Sequence, residues 1–324
     1  MAQRWGKGDI MKTISIVVPT YNEEENVPLV IERIRRIFTE NLTDYSYEII
    51  FADNCSLDGT RGLIKKYSRE DKRIKAIFNA RNFGFSRSTF YGLSQAEGDC
   101  AVLLFADMQD PPELIIDFIR EWENGNKIVI GIKNRSEENR LVYLLRSIYY
   151  KVIKRIGEID HIEQFTGFGL YDRSFIEVLR ELRDPMPYLR GIVAELGFQH
   201  KKVFYTQQKR IHGKTSFNFW KLYDVMMLGI TSYSKAVLRI ATLMGFAIAA
   251  ISLVIAVVTF ILKIFGIVSF DIGIAAISIG VYFFGSMILF FIGMLGEYIV
   301  NINIRTMGHP LVVEEERINF GKDD

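Results

Sequence analysis

The feature that most constrains the fold is a pair of charge-free apolar segments near the carboxyl end of this 324-residue chain. Residues 240–262 and 272–295 contain no charged side chain. Each segment exceeds the roughly 20 apolar residues that a helix needs to cross about 30 Å of hydrocarbon. Because the link at 263–271 is short, we expect an antiparallel two-helix transmembrane hairpin. Two buried helices of a soluble protein are the alternative, which such a charge-free length disfavours.

The charges that flank the hairpin predict its orientation. Lys235 and Arg239 precede the first segment and Arg305 follows the second, whereas the link has only Lys263 as a cation. Cationic residues concentrate on the cytoplasmic side of membrane proteins. We therefore expect a two-span protein of the inner (cytoplasmic) membrane with both termini in the cytoplasm. Since neither segment contains a carboxylate or a basic residue, the hairpin is interpreted as an anchor rather than a transport path.

Apolar runs alternate with stretches of helical spacing up to residue 131. The predicted strands are 14–18, 47–52, 74–78, 100–106 and 127–131, and the predicted helices between them are 23–38, 60–68, 86–96 and 112–123. This alternation predicts an α/β fold with a mostly parallel sheet and helices on both faces. The chain has neither GxGxxG nor GxxxxGK[ST], which argues against dinucleotide redox chemistry and a P-loop ATPase.

Composition excludes several other classes of protein. A net charge of +2 provides no strong field for nucleic acid. The two cysteines and four scattered histidines have no zinc-site spacing and suggest no disulfide scaffold. Residues 1–10 lack the apolar run of a signal peptide and are interpreted as a disordered extension or tag.

Polar clusters follow three of the predicted strands, at residues 20–23, 53–54 and 107–110. Ligands of open α/β sheets bind at the carboxyl ends of the strands. Asp53 is placed to hold ribose hydroxyls, and Asp107 with Gln109 is the best pair for Mg²⁺ or Mn²⁺ against a diphosphate. Each cluster alone is better explained as a turn or helix cap. Three clusters at one sheet edge favour a ligand site.

Seven short motifs support a family resemblance. They are VVPTYNEEE (17–25), DNCSLDGT (53–60), RNFG (81–84), ADMQDPPE (106–113), LRGI (189–192), RIHGKTSF (210–217) and GEY (296–298). In this order they resemble bacterial family 2 glycosyltransferases, particularly polyprenyl-phosphate hexose transferases and dolichyl-phosphate mannose synthases. The resemblance covers the chain from about residue 14 onward. It implies a GT-A-type fold, inversion at the anomeric carbon and a divalent metal, Mg²⁺ or Mn²⁺.

The resemblance also implies roles for individual residues. The implied nucleotide-binding residues are Pro19, Tyr21, Glu23, Asp53 and Arg81. Asp107 and Gln109 would contact the metal. Arg210 and Lys214 match a mobile loop that closes over the donor, with Gly213 as its hinge.

Two departures from the family pattern concern carboxylates. Phe105 stands where relatives have the first aspartate of Asp-x-Asp, and residues 164–169 lack the acidic residues of an Asp-x-Gly-Asp-Phe stretch. A phosphate acceptor makes a catalytic base dispensable, because its second pKa of about 6 leaves it a dianion at pH 7. Such an acceptor instead needs cations that position it.

A basic amphipathic segment at 135–157 supplies such cations and is predicted to lie in the membrane interface. The resemblance assigns binding of the lipid phosphate or donor diphosphate to Arg135, Arg140, Arg146 and Ser147. The predicted organisation is an extension (1–10), a cytoplasmic catalytic domain (11–215), a juxtamembrane helix (216–239), the hairpin (240–295) and a cytoplasmic tail (296–324).

The predicted activity is transfer of a hexose or N-acetylhexosamine from a nucleotide sugar, with UDP favoured, to a polyprenyl phosphate. The product would be a donor for later cell-envelope glycosylation. GDP-mannose is the alternative donor, and a catalytically weak membrane scaffold, motivated by Phe105 and Gln164, is the alternative class. A processive polysaccharide synthase is disfavoured because Gln207–Ile211 lacks the tryptophan of Gln-x-x-Arg-Trp. Small residues of the second segment, Gly273, Ala275, Ala276 and Gly280, offer surface for a homo-oligomer.

Overall fold

A computed structural model describes residues 11–135, 162, 164–182, 184–208, 227, scattered positions within 243–265, and 274–321. Several residues of functional interest lie outside these ranges: Arg140, Arg146, Ser147, Arg210, Gly213 and Lys214. The same holds for most of the predicted interfacial segment (135–157) and of the predicted juxtamembrane helix (216–239). The chain forms two compact units, one of residues 1–147, 161–218 and 308–324, the other of residues 148–160 and 219–307.

The first unit is built on one eight-stranded sheet. Its elements in chain order are β1 (Thr13–Thr20), α1 (Asn26–Glu40), β2 (Ser46–Asp53), α2 (Thr60–Glu70), β3 (Ile74–Asn79), α3 (Phe85–Ser94), β4 (Cys100–Leu103), α4 (Leu114–Glu123), β5 (Ile128–Arg135), β6 (Phe165–Asp172), α5 (Arg173–Glu181), α6 (Leu189–Glu195), β7 (His200–Thr206) and β8 (Glu314–Ile318).

The strand order is β7-β5-β6-β4-β1-β2-β3-β8. β1 pairs in parallel with β2 and β4, as do β2 with β3 and β5 with β7. β6 is antiparallel to both β4 and β5, and β8 is antiparallel to β3. The mostly parallel α/β sheet expected of a GT-A-type domain is therefore confirmed.

Apolar side chains cover both faces of this sheet, which explains why its strands read as continuous hydrophobic runs. Neighbouring residues of β1 point to opposite faces, as the period of two requires. Ile16 packs in one core with Phe51, and Val17 packs in the other with Ile50 and Phe90. The two cores hold the central strands rigidly, so the loops at their carboxyl ends start from fixed points.

Each predicted strand and helix up to residue 131 is present, with shifted ends. β4 ends at Leu103, three residues before the predicted end at Ala106. Beyond it the backbone turns, and Met108 adopts a left-handed conformation with φ of 56°.

The second unit contains α7 (Ile274–Thr306) among its described elements. Within the part of the chain that the structure describes, one stretch is a helix long and apolar enough to cross a membrane. This is Phe283–Thr306, a 24-residue segment that contains an 18-residue window with mean hydropathy 1.9, none of which is buried. The first predicted span (240–262) lies largely outside the described residues, so the hairpin stays a prediction.

The segment predicted as a carboxyl-terminal tail contains defined structure. α7 continues through its first residues to Thr306, and β8 then adds an edge strand to β3. Its sequence, EEERI, has the charged character that natural edge strands use against aggregation. Because most of its residues are charged, the strand has no hydrophobic pattern from which it could be predicted.

Candidate active site

Three parallel strands end at one edge of the sheet and bring the predicted polar clusters together. Thr20, the last residue of β1, pairs with Asp53, the last residue of β2. Asp53 pairs in turn with Phe78 of β3. On the other side of β1, Val17 pairs with Leu103 at the end of β4. The loops that follow these strands therefore share one edge, as the sequence predicted.

The loop after β1 is bonded to the loop after β2. The backbone N–H of Asn22 donates to Ser56 Oγ at 2.9 Å, and the N–H of Leu57 donates to Asn22 Oδ1 at 2.8 Å. The N–H of Glu23 donates to Thr60 Oγ1 at 2.8 Å. Asn22 has φ of 57°, a left-handed conformation that asparagine tolerates better than most residues. The two loops thus form one unit.

Three of the residues expected to bind the nucleotide lie in this unit or next to it. Pro19, Tyr21 and Glu23 are each partly exposed at the strand edge. Glu23 Oε2 accepts a 2.5 Å hydrogen bond from Asn26 Nδ2 at the start of α1. Next to them is an open depression of about 410 Å³, lined by Asn22, Glu23, Glu24, Glu25, Asn26 and Asp58.

Asp53 is fully buried at this edge, with no exposed surface. Its Oδ1 accepts a 2.5 Å hydrogen bond from Ser56 Oγ, and its Oδ2 accepts the Ser56 N–H at 3.1 Å. Arg61 Nε lies 3.4 Å from Asp53 Oδ2. Burial raises the pKa of Asp53, while the bonds from Ser56 and the charge of Arg61 oppose that rise. In this conformation the carboxylate holds its own loop and presents no oxygen to a ligand.

Asn54 joins a third loop to the first two. Its side-chain oxygen accepts from Phe83 N–H at 2.9 Å and from Asn79 Nδ2 at 3.3 Å. Its side-chain nitrogen donates to Asn82 Oδ1 at 2.9 Å. Arg81 belongs to this third loop, is exposed, and stacks its guanidinium 4.1 Å from the ring centre of Phe83.

The loop after β4 carries Asp107 and Gln109, both half-buried. Asp107 Oδ1 accepts the backbone N–H of Gln109 at 3.2 Å. The next residue, Asp110, is buried, and burial raises its pKa while the charge of Lys133 opposes the rise. The carbonyl of Gln109 accepts the N–H of Gln208 at 2.9 Å, which ties this loop to the end of β7.

The donor atoms on this loop suit a shared metal ion. Among the residues that the structure describes, no three His, Cys, Asp or Glu side chains are grouped to hold a metal by themselves. Asp107 and Gln109 offer one carboxylate and one amide oxygen. Mg²⁺ in particular is commonly held by one or two carboxylates together with substrate phosphates and water. The loop therefore fits a cation whose remaining ligands come from a diphosphate.

The two positions at which the sequence departs from the family pattern of carboxylates are Phe105 and the start of β6. The half-buried Phe105 ring lies 5.6 Å from that of Phe85, between centres. In β6, Phe165 and Phe168 are buried in the core. A Cβ at Gly169 would lie 2.4 Å from the carbonyl oxygen of Val129, so this strand accepts no side chain there.

Comparison with known proteins decides the family. The model of "Glycosyl transferase family 2" matches residues 15–180, a range that contains every strand-end loop described above. The chain belongs to glycosyltransferase family 2. It is therefore a glycosyltransferase, as the motifs predicted.

Relatives of this family 2 glycosyltransferase extend the similarity over nearly the whole chain. The bactoprenol glucosyl transferase of Shigella phage SfX is 32% identical over 94% of this chain and 99% of its own. The uncharacterized glycosyltransferase YkcC of Bacillus subtilis (strain 168) is 29% identical over 93% of both chains. The crystal structure of mannosyl-3-phosphoglycerate synthase from Rubrobacter xylanophilus aligns with a TM-score of 0.47 and 17% identity over 72% of this chain and 75% of that chain.

Of the cations predicted to bind phosphate, Arg135 is the one whose backbone the structure describes. It is the last residue of β5 and pairs with Thr206 at the end of β7. β4 and β5 are both antiparallel to β6, so they run in the same direction. Arg135, at the carboxyl end of β5, therefore lies at the same edge of the sheet as the loop of Asp107. Arg140, Arg146, Arg210 and Lys214 lie outside the described residues.

Sequence reasoning missed the residues that connect the loops of this family 2 glycosyltransferase. Asn79, Ser56, Thr60 and Tyr205 were not singled out, although each bonds a residue of a predicted cluster. Asn79 is the last residue of β3 and Thr206 is the last residue of β7, and both strands end at the edge of the sheet where the candidate site lies. A search for polar residues at every strand end would have found Asn79 but not Ser56 or Tyr205.

Proposed function

We propose that this glycosyltransferase transfers a hexose from a nucleotide sugar, with UDP as the favoured nucleotide, to a polyprenyl phosphate. One observation carries the proposal. The hydrogen-bonded loops after β1, β2 and β3 lie at the same edge of the sheet as the loop that contains Asp107 and Gln109. The apolar helix α7 adds a membrane-compatible segment to the same chain. A relative named bactoprenol glucosyl transferase supports a polyprenyl acceptor.

In this proposal the bonded loops bind the nucleotide. Pro19, Tyr21 and Glu23 are partly exposed beside it, and Arg81 supplies an exposed cation. Asp53 acts through the loop that it holds. Asp107 and Gln109 hold Mg²⁺ or Mn²⁺, which when bound supplies positive charge against the diphosphate leaving group.

The transfer is an in-line displacement with inversion. An oxygen of the acceptor phosphate forms a bond to the anomeric carbon, and the bond from that carbon to the donor diphosphate breaks. The electron pair of the broken bond leaves with the diphosphate. Because the phosphate dianion carries no proton that must be removed, the absence of a carboxylate from the Gln164–Gly169 stretch is compatible with this chemistry.

Cations position the acceptor in the proposed reaction. Arg135 ends β5 at the site edge, and Arg140, Arg146 and Ser147 follow in the segment predicted to lie in the membrane interface. Arg210 and Lys214 would close over the donor. The proposed topology is a two-span hairpin in the inner membrane, with the glycosyltransferase domain in the cytoplasm where nucleotide sugars are available.

A donor screen tests this proposal. The full chain, purified in detergent, is incubated with undecaprenyl phosphate and Mn²⁺ in parallel with UDP-glucose, UDP-N-acetylglucosamine, UDP-galactose or GDP-mannose. Mass spectrometry of the lipid fraction identifies the product. We expect one UDP-sugar to yield a polyprenyl-phosphate sugar. A product from GDP-mannose alone would establish the alternative donor, and no product from any donor would favour the scaffold.

A further inference from the structure

The carboxyl-terminal strand β8 brings acidic side chains against the helix that follows the Asp53 loop. β8 is the outermost strand of the sheet on this side and pairs antiparallel with β3. Glu315 Oε2 accepts a 2.7 Å hydrogen bond from Arg61 Nη2 in the first turn of α2. Its neighbour Glu316 pairs with Lys65, one helical turn further along α2.

Arg61 contacts two carboxylates at once. Besides Glu315 it faces Asp53, whose Oδ2 lies 3.4 Å from Arg61 Nε. The Arg61 side chain is only 24% exposed, and its guanidinium carbon lies 5.0 Å from the ring centre of Phe78. A guanidinium with so little water around it depends on its carboxylate partners for both charge compensation and position.

Asp53 transmits the position of Arg61 to the loop after β2. The carboxylate has no exposed surface and accepts both the hydroxyl and the backbone N–H of Ser56. Ser56 in turn accepts the N–H of Asn22 in the loop after β1. A continuous set of contacts therefore runs from Glu315 through Arg61 and Asp53 to the edge proposed for the nucleotide.

We infer that Glu315 and Arg61 are positioning residues for the donor site, so that β8 helps to set the loop that binds the nucleotide. The inference rests on the proposed function for the identity of that ligand. It assigns a role to a strand that begins shortly after α7 ends, outside the residues 15–180 that the family model matches.

Other contacts dock β8 without reaching Asp53. Asn319 donates to the carbonyls of Ser68 at 2.7 Å and Ile74 at 2.8 Å. The backbone ladder pairs Ile318 with Ala76. Loss of the Glu315 carboxylate should therefore leave the strand in place, while the position of Arg61 relaxes.

The chain provides a matched control on the same strand. Glu316 and Glu315 have side chains 41% and 57% exposed, and each pairs with one cation of α2. Only the cation bound by Glu315 also faces Asp53. Glu315→Gln and Glu316→Gln thus each remove one partly exposed carboxylate that pairs with α2, and only the first disturbs the proposed set of contacts.

The experiment compares these two variants in the full chain, purified in detergent, by hydrogen–deuterium exchange and by titration with UDP and GDP. We expect E315Q to speed amide exchange across residues 54–60 and to raise the nucleotide Kd about two- to fivefold, the range set by an exposed ion pair. KM for the donor should rise with kcat nearly unchanged. E316Q should change neither exchange nor Kd, and both variants should lower Tm alike.

Two outcomes separate this inference from the proposed function. Equal exchange across residues 54–60 in both variants would overturn the inference, even if the wild type binds UDP and makes the lipid product. Faster exchange in E315Q alone, in a protein that binds neither UDP nor GDP, would support the coupling and refute the proposed function.

Discussion

The hydroxyl of Tyr205 donates a 2.5 Å hydrogen bond to Asp110 Oδ1, joining the end of β7 to the loop that carries Asp107 and Gln109. Tyr205 is 6% exposed and Asp110 is 2% exposed, so water cannot replace either partner. The Tyr205 ring also packs edge-on against Phe168, with ring centres 5.6 Å apart. This bond therefore fixes the position of the proposed metal loop relative to β7.

Tyr205→Phe should lower both stability and activity. It removes a hydroxyl from a buried carboxylate, a loss that costs about 1–3 kcal/mol in similar cases. The loop of Asp107 then becomes less well positioned, so kcat should also fall. Thermal unfolding and sugar-transfer assays measure the two effects. Tyr45→Phe is the control, because the Tyr45 hydroxyl donates to Glu123 at a more exposed position. Equal kcat in the two variants would contradict the positioning role.

Asp107→Ala should remove metal-stimulated transfer. Asp107 offers the one carboxylate of the proposed pair, and metal stabilisation of a leaving group contributes several kcal/mol, so we expect a loss of about 100-fold or more. Asp117→Ala, on the exposed face of α4, is the matched control. Mn²⁺ titration of initial rates measures the effect. Turnover and Mn²⁺ dependence like those of the wild type would refute the metal assignment.

Phe105→Asp should add a second carboxylate to the loop after β4. It also removes the ring that packs 5.6 Å from Phe85, so stability should fall. Phe105→Ala loses the same packing without gaining a charge and is therefore the matched control. We expect the Mn²⁺ concentration for half-maximal activity to fall about tenfold in F105D relative to F105A, because affinity of oxygen sites rises with ligand charge. Identical Mn²⁺ dependence would show that residue 105 does not face the cation.

The strand-end clusters were predictable because they depend on chain order alone. Buried runs such as Ile14–Val18 are long enough to identify strands, and parallel strands place their carboxyl ends together. The contacts between loops were not predictable, since Asn54, Ser56 and Tyr205 find partners only after the sheet has assembled.

The direction in which a side chain points was also not predictable from the sequence. A residue that follows a strand can point outward to a ligand or inward to its own loop, and the pattern around Asp53 does not distinguish the two. The structure places that carboxylate inward, against Ser56 and Arg61. β8 was missed for another reason: its charged residues 314–317 have no hydrophobic period, and its partner β3 lies far away in sequence.

Asp71→Asn should make stability depend less on pH. Asp71 accepts hydrogen bonds from Arg73 at 2.9 and 3.0 Å and from Arg35 at 3.0 Å. The bonds from Arg73, with help from Arg35, lower the pKa of Asp71 from 3.8 to about 2. A folded-state pKa below the unfolded value means that the folded state binds fewer protons in this range. The stabilisation is therefore present above about pH 4 and is lost as pH falls toward 2.

The wild type and D71N should differ most near neutral pH, by about 1 kcal/mol for a solvent-screened ion pair. Thermal unfolding of both proteins in detergent between pH 3 and pH 7 measures this difference. Asp117→Asn, an exposed carboxylate 3.8 Å from Arg120, controls for the loss of one surface charge. The gap between D71N and the wild type should narrow at pH 3, because the unfolded wild type, with an ordinary pKa of 3.8 at Asp71, then binds a proton that the folded state, with a pKa of about 2, does not. A gap that stays constant from pH 7 to pH 3 would show that Asp71 stabilises the turn between α2 and β3 by hydrogen bonding alone, independent of its charge.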